Sequence, residues 1–205
     1  MSQPAAQSNT GAAAAPASAG CSTRRILPGE YAVTGDDDTL VTVLGSCISA
    51  CIRDPVAKVG GMNHFMLPED GGGSGDRWLD PKVGLATRYG SYAMESLVND
   101  LLKRGARRER FEIKLFGGGQ ILASQTDIGK RNIAFIHDFL DKEGYKTAAE
   151  DLGGNIPRML AYFPRTGKAR VKHMQPLEAR VIAESERVYA TKIAKEDQGG
   201  EIDLF

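Results

Sequence analysis

The fold of this chain is decided by residues 44–64, which read LGSCISACIRDPVAKVGGMNH. The alternating side chains of residues 47–53 predict a β-strand that places its aliphatic residues on one face. Asp54 and Pro55 indicate a turn, because proline fixes φ and aspartate can hydrogen-bond to its own backbone. Residues 58–67 are then the predicted return strand, so the stretch predicts a β-hairpin.

The predicted hairpin brings a cysteine close to a histidine. If Arg53 pairs with Lys58 across a four-residue loop, Cys47 lies directly opposite His64. Side chains in that relation have Cβ atoms about 4.5–5.5 Å apart. A thiolate nucleophile needs a nearby imidazole to take and return its proton, so the pair is predicted to be a nucleophile and its base.

Gly45 and Ser46 distinguish Cys47 from an ordinary core cysteine. A cysteine in a strand is more often a small buried hydrophobic residue, and Cys51 is expected to be one. Glycine permits close approach of a ligand, and successive N–H groups at a turn can form an oxyanion site. We therefore predict that Gly45 and Ser46 lie against the substrate, with a purely structural Cys47 as the alternative.

The composition indicates a protein that works in a reducing compartment. The chain has 205 residues, which suits one domain with tails. Its 26 basic and 26 acidic residues give no net charge, which argues against nucleic-acid binding. Three cysteines do not make a disulfide framework, so a cytoplasmic location is expected. No apolar run approaches the ~20 residues of a membrane span, so the chain is not expected to be embedded in a membrane.

The chain divides into three predicted parts. Residues 1–23 are rich in Ala, Ser and Pro and predict a disordered tail. Residues 24–175 form the predicted catalytic domain. Residues 176–205 predict a helix over 177–195, with an apolar stripe, and then an acidic-hydrophobic tail. That tail could dock in a groove of a partner or pack on its own domain.

The remaining elements predict an α+β fold. Helices are predicted over 87–104 and 129–143, and strands over 111–116, 145–151, 156–163 and 169–173. This order predicts a layered sandwich of largely antiparallel sheet with packed helices. The glycine run 117–119 lacks the Lys and Ser/Thr of a phosphate loop. It predicts instead a close backbone approach to the substrate or the hairpin, which places Gly118 near the site.

Five segments, in order along the chain, resemble the chemoreceptor glutamine deamidases of bacterial chemotaxis, the CheD family. They are residues 29–33, 44–68, 114–120, 128–132 and 150–155. A single short motif would be weak, whereas five in order across roughly residues 25–174 are specific. The resemblance implies an α+β fold shared with cysteine hydrolases that include deamidating bacterial toxins.

The resemblance also implies an activity and its residues. It implies a Cys–His–Thr hydrolase that converts glutamine side chains of receptor helices to glutamate, without a metal or organic cofactor. Cys47 and His64 take the first two roles and Thr42 the third, with Thr39 as a second hydroxyl nearby. The resemblance further implies activity toward methylated glutamates and a complex with a chemotaxis phosphatase. His64 is expected to lower the pKa of the Cys47 thiol.

Two other functions stay open at the level of sequence. One is a regulatory module that binds a phosphatase or a receptor without turnover. The other is a thiol hydrolase that acts on glutamines of other proteins. The presence of both Cys47 and His64 favours an enzyme, because a binding module needs neither.

Overall fold

The computed structural model describes residues 22–67, 81–121 and 128–196. Within these ranges the chain forms strands and helices in the order β1 Thr23–Arg25, β2 Tyr31–Thr34, β3 Thr39–Leu44, β4 Ile48–Asp54, β5 Val59–Asn63, α1 Pro81–Lys103, β6 Glu112–Gly117, α2 Ile128–Lys142, β7 Thr147–Leu152, β8 Arg158–Phe163, β9 Lys168–His173 and α3 Pro176–Glu196. A short 3-10 turn, Arg108–Arg110, precedes β6.

The strands form two sheets. One has five strands in the order β2-β5-β4-β6-β7, and the other has four in the order β1-β3-β8-β9. Neighbouring strands are antiparallel except for the pairs β1–β3 and β6–β7. The predicted α+β architecture with largely antiparallel sheet is therefore confirmed.

Strand β4 lies between two hydrophobic cores. Ile48, Ala50 and Ile52 pack with the buried faces of α1 and α2 on one side of the five-stranded sheet. Cys47 and Cys51 lie in a second core with residues of the four-stranded sheet. The two faces predicted from alternation are thus confirmed, and the segment that carries the site is covered from both sides.

The predicted helices pack as their apolar stripes indicate. Met94, Leu97 and Leu101 of α1 are fully buried, as is Ile136 of α2. Helix α1 begins at Pro81 rather than at residue 87. Proline suits the first turn of a helix, where its missing N–H would have no intrahelical partner.

The hairpin register predicted above is wrong by two residues. It paired Arg53 with Lys58, whereas the structure pairs Asp54 with Val59. Lys58 lies in the loop with a φ of 55°. The Asp54 carboxylate accepts hydrogen bonds from two N–H groups of the same loop, at 2.9 and 3.0 Å. These local interactions place the loop at 55–58, one residue later than predicted.

The shift leaves the predicted faces intact. Side chains alternate with a period of two, so a two-residue change in pairing keeps each one on its side of the sheet. Ile48 pairs with Phe65 beyond the end of β5. Cys47 and His64 therefore share one face as diagonal neighbours, although they are not directly opposite.

The ends of the chain fall largely outside the described residues. Strand β1 begins at Thr23, at the end of the predicted tail, and pairs with β3. The predictions for residues 1–21 and for the acidic-hydrophobic tail, residues 201–205, lie outside the described ranges. No helix in the described part of the chain combines the length and the apolar character that a membrane crossing requires.

Candidate active site

Thr42 and His64 form a buried hydrogen-bonded pair that joins the two sheets. Thr42 lies on β3, and His64 follows β5 directly. The Thr42 Oγ1 is 2.8 Å from His64 Nδ1 and 2.8 Å from the carbonyl oxygen of Ile26. A hydroxyl has one hydrogen and a carbonyl can only accept, so Thr42 donates to Ile26 and accepts from the Nδ1–H of His64. This tautomer leaves His64 Nε2 as the basic nitrogen.

Cys47 lies within reach of that base. The Cys47 Sγ, a ring nitrogen of His64 and a carboxylate oxygen of Glu186 lie within 4.8 Å of one another. The His64 Nε2 is buried and has no hydrogen-bond partner, and the Cys47 side chain is 0% exposed. The structure therefore brings together Cys47, His64 and Thr42, the three residues singled out from the sequence.

The backbone before Cys47 forms a nest of donors that converge on one carboxylate. The N–H groups of Gly45 and Ser46 donate to the two Glu186 oxygens at 2.8 and 2.7 Å. The Ser46 hydroxyl donates to the same carboxylate at 2.6 Å, and the Cys47 N–H points to it at 3.4 Å. Convergent N–H groups beside a nucleophile are the arrangement that stabilises an oxyanion.

The glycine run at the end of β6 supports this turn from behind. The Gly118 N–H donates to the Cys47 carbonyl at 2.8 Å, and the Gly119 N–H donates to the Gly45 carbonyl at 2.7 Å. A Cβ at Gly117, whose φ is +113°, would lie 2.0 Å from the Cys47 carbonyl oxygen. The close backbone approach predicted for this run is made to the hairpin. Because the Gly118 N–H is engaged there, donation to an oxyanion falls to the turn itself.

Asn132 of α2 is a second support that the sequence did not single out. Its side chain is fully buried, donates to the Ser46 carbonyl at 2.8 Å and accepts from the Leu67 N–H at 2.9 Å. A buried amide inside an apolar helix face is the signal that could have indicated this role.

Glu186 of α3 is the residue that sequence reasoning missed. Two of the apolar residues predicted to form a stripe on this helix, Val181 and Val188, are 71% and 62% exposed. The inward face runs through Ile182 and Ile193, which the predicted stripe included, with Glu186 between them. A glutamate in the middle of such a face is the signal that the sequence offered.

The electrostatics of the site differ from the expected ones. Burial raises the pKa of the Cys47 thiol, and the negative charge and hydrogen bonding of Glu186 raise it further. Burial also lowers the pKa of His64, although Glu186 opposes this change. The expectation that His64 lowers the Cys47 pKa is wrong for this state. Burial and the Glu186 carboxylate both favour the neutral thiol, and burial favours the neutral imidazole against the opposing effect of Glu186.

The same three side chains are of types that can hold a metal. Cys47, His64 and Glu186 offer sulfur, nitrogen and oxygen ligands, which zinc accepts. Both Glu186 oxygens already accept backbone N–H groups. A cation there would face the positive ends of those N–H dipoles, so the donor set suits an anion better than a metal.

A cavity of ≈ 410 Å³ lies beside the base, between α3 and the region of β1 and β3. Thr42, His64 and Glu186 line one part of it, and Ile26, Leu27 and Ile182 line an apolar part. Helix α3 therefore does not fill the groove that it covers.

Comparison with known proteins identifies the family. The family model described as CheD chemotactic sensory transduction matches residues 66–173. A relative from Hydrogenovibrio crunogenus is 49% identical over 91% of this chain and 95% of its own. The chain belongs to the CheD family. A CheD relative from Herminiimonas arsenicoxydans is 50% identical over 88% of each chain, and both are named probable chemoreceptor glutamine deamidase CheD.

Solved structures resemble this CheD chain only distantly. A crystal structure of a Neisseria meningitidis protein of the DUF152 family gives a TM-score of 0.40 at 9% identity, over 66% of this chain and 65% of that one.

Proposed function

We propose that this chain is a chemoreceptor glutamine deamidase that uses Cys47 as its nucleophile. The observation that carries the proposal is the buried series Thr42–His64–Cys47 beside a turn of convergent N–H groups. The names of the relatives, which are about half identical over most of the chain, support the same substrate.

The reaction follows from these positions. His64 Nε2 takes the thiol proton, and the Cys47 thiolate attacks the carboxamide carbon of a glutamine. The N–H groups of Gly45 and Ser46 stabilise the oxyanion. His64 then protonates the departing nitrogen, which leaves as ammonia, and activates a water molecule. Hydrolysis of the thioester gives glutamate and restores the thiol.

Thr42 acts through His64 and not on the substrate. By accepting the Nδ1–H it fixes the tautomer that presents a basic Nε2, as the third member of a triad does. Because its hydroxyl is held by the Ile26 carbonyl, it cannot turn to donate to Nδ1.

The same acyl-enzyme would also form from a methylated glutamate, with methanol as the leaving group instead of ammonia. Activity as a methylesterase is therefore part of the proposal. The substrates are glutamines on the cytoplasmic helices of chemoreceptors, which places the enzyme in the cytoplasm.

The test is the intact mass of a receptor cytoplasmic fragment after incubation with the enzyme. Deamidation adds about one mass unit per site, because an amide becomes an acid through the acyl-enzyme. The parent protein and Cys51→Ala should produce the gain, and Cys47→Ala should not. Cys51 is the matched control because it is equally buried and lies four residues further along the chain, on β4. A gain that persists with Cys47→Ala would contradict the proposal, and persistence in a chelator would confirm that no metal is needed.

One observation favours a second candidate, a regulatory binding module. In this structure the Cys47 side chain is closed off from solvent. If several receptor fragments show no mass gain with the folded parent protein, binding of a chemotaxis phosphatase without turnover becomes the better assignment.

A further inference from the structure

We propose that helix α3 occupies the substrate site, with the Glu186 side chain in the place of the receptor glutamine, and that a receptor helix binds by replacing α3. This inference rests on the proposed function, because it interprets the N–H groups of the turn as the site of the substrate carboxamide. It adds the position of the bound side chain, the surface for the partner helix and a closed state of the enzyme.

The first argument is chemical. Glutamate is what a glutamine becomes after deamidation, so the Glu186 carboxylate has the structure of the reaction product. It lies within 4.8 Å of the Cys47 Sγ and of a His64 ring nitrogen. Its oxygens accept from the Gly45 N–H, the Ser46 N–H and the Ser46 hydroxyl at 2.6–2.8 Å. These are the donors that an oxyanion derived from a glutamine carboxamide would use.

The second argument concerns the secondary structure around the carboxylate. Glu186 lies near the middle of the helix Pro176–Glu196 and reaches the nucleophile from a helix surface. The proposed substrates are glutamines that receptor helices present in the same way. The surface beneath α3 therefore already fits a helix with one inward amide-sized side chain.

The third argument is that α3 is lightly attached. Among its side chains that the structure describes, only Glu186, Ala190 and Ile193 are buried. Two aliphatic side chains, Val181 and Val188, remain mostly exposed. Few described side chains of the helix itself therefore leave a buried environment on release, and the hydrophobic cost of release scales with the apolar surface that is exposed.

Helix α3 also leaves part of the groove beneath it unfilled. The cavity of ≈ 410 Å³ extends under the first half of α3, next to His64. The second half is held by a hydrogen bond between the Tyr189 and Tyr89 hydroxyls at 2.5 Å. A receptor helix that fills the cavity would gain apolar contacts that α3 does not make, so exchange of the two helices is favourable for a well-fitting partner.

The closed state protects the thiol in two ways. Glu186 covers Cys47, whose side chain is 0% exposed. Its negative charge also raises the pKa of the Cys47 thiol beyond the effect of burial. Removal of the carboxylate should therefore both open the site and increase the thiolate fraction.

The first experiment measures alkylation of Cys47 by iodoacetamide in the full-length protein, with peptide mass mapping to separate it from Cys21 and Cys51. Glu186→Ala should react at least about tenfold faster than the parent at neutral pH, because loss of the carboxylate uncovers the thiol and removes a negative charge that disfavours the thiolate. Glu184→Ala, an exposed glutamate on the same helix, is the matched control. An unchanged rate in Glu186→Ala, or an equal increase in Glu184→Ala, would overturn the proposal.

The second experiment offers the active site a substrate glutamine on the protein's own helix α3. In Glu186→Gln a glutamine stands where the substrate side chain is proposed to lie. Cys47 should attack its amide carbon, release ammonia and, after hydrolysis by water, leave glutamate with a gain of about one mass unit at residue 186. The rate should not depend on protein concentration, because the reaction is intramolecular. The double variant Glu186→Gln/Cys47→Ala should keep its glutamine.

The outcomes separate the two proposals. Receptor deamidation by the parent without conversion of Gln at position 186 would overturn the placement of α3 and leave the deamidase intact. Glu186→Ala could be alkylated faster while neither it nor the parent deamidates the receptor. This result would support the proposal that α3 covers the active site and would overturn the proposal that the chain is a deamidase. Faster alkylation together with faster receptor deamidation by Glu186→Ala supports both.

Discussion

At the scale of single residues, the tautomer of His64 depends on the direction in which the Thr42 hydroxyl donates its hydrogen. The Thr42 hydroxyl gives its hydrogen to the Ile26 carbonyl, so its lone pairs are available for the Nδ1–H of His64. Both groups are buried, which makes an unpaired donor costly and the tautomer strongly preferred. Proton transfer at Nε2 is thus prepared by a residue that touches neither the thiol nor the substrate.

Replacement of this hydroxyl tests the tautomer. In Thr42→Val the Nδ1–H loses its acceptor, and we expect kcat for receptor deamidation to fall about 10²-fold or more, in the range found for acid–base catalysis. Thr42→Ser keeps the hydroxyl and should retain most of the rate. Thermal unfolding of both variants provides the control for correct folding. A loss of rate in Thr42→Ser equal to that in Thr42→Val would indicate that Thr42 has a packing role.

The buried imidazole also predicts how stability depends on pH. The pKa of folded His64 is lowered from its ordinary 6.5, so below pH 6.5 the unfolded chain binds a proton that the folded chain does not. The free energy of unfolding should therefore decrease as the pH falls below 6.5, by up to about 1.4 kcal/mol per pH unit for this one group. Denaturant titrations of the parent and His64→Asn at pH 7 and pH 5 measure this decrease in the free energy of unfolding. The parent should lose more stability between pH 7 and pH 5 than His64→Asn does, and an equal loss in the two proteins would contradict the prediction.

At the scale of elements, the catalytic turn is held between β4 and the end of β6. The carbonyls of Gly45 and Cys47 accept the N–H groups of Gly119 and Gly118, and Asn132 of α2 holds the carbonyl between them. With its carbonyls fixed in this way, the turn presents its N–H groups to the opposite side. Glycine is needed at position 117 because the backbone at the end of β6 approaches the backbone of the turn too closely for a Cβ atom.

Gly117→Ala should separate this close approach from ordinary backbone strain. Gly117 and Gly105 both have positive φ, but a Cβ at Gly105 would meet nothing within 4 Å. Backbone strain at positive φ should cost both variants about 1–2 kcal/mol, and the clash with Cys47 adds to this cost in Gly117→Ala. Only Gly117→Ala should also displace the Cys47 carbonyl, and its deamidation rate should fall at least about tenfold below that of Gly105→Ala. Equal rates in the two variants would show that the turn tolerates the displacement.

At the scale of the whole molecule, stability is distributed unevenly around the site. Cys47 and His64 belong to the five-stranded sheet, which has a hydrophobic core on each face. The helix that covers them has few buried side chains among those described. A rigid centre beneath a lightly attached helix is suited to an enzyme that must admit another protein's helix.

Hydrogen exchange should resolve this difference. We expect the amides of α3 to exchange at least about a hundredfold faster than those of β4, because local opening of a lightly packed element costs less than global unfolding. A saturating receptor fragment should increase exchange in α3 and leave β4 unchanged. Protection of α3 by the receptor fragment would indicate that the two helices bind side by side instead of exchanging.

The sequence predicted those parts of the fold that depend on local patterns. The hairpin, the helices α1 and α2 and the strands β8 and β9 follow from periodicity and turn residues. The register failed because the positive φ of Lys58 and the side-chain bonds of Asp54 are not visible in a polarity pattern. The division into two sheets was also not predicted, since it depends on pairings such as β3 with β8.

The same limit applies to the site. Cys47, His64 and Thr42 come from one short region, so their proximity could be inferred from sequence and family resemblance. Glu186 is separated from Ser46 by 140 residues. Its contact depends on how α3 docks after both sheets have formed, and no local pattern reports a docking geometry.

The hydrogen bond between the sheets has a consequence during biosynthesis. Cys47 and His64 leave the ribosome within one hairpin, whereas β3, which pairs with β1 on one side, pairs on its other side with Leu160 and its neighbours on β8, which are made much later. Until that strand arrives, β3 lacks its longer pairing, and Thr42 is not fully held in place to impose the tautomer of the imidazole. On the proposed mechanism, a nascent or incompletely folded chain should carry out acyl transfer on the glutamines of neighbouring proteins about a hundredfold more slowly than the folded enzyme. Completion of the fold thus serves as the maturation step.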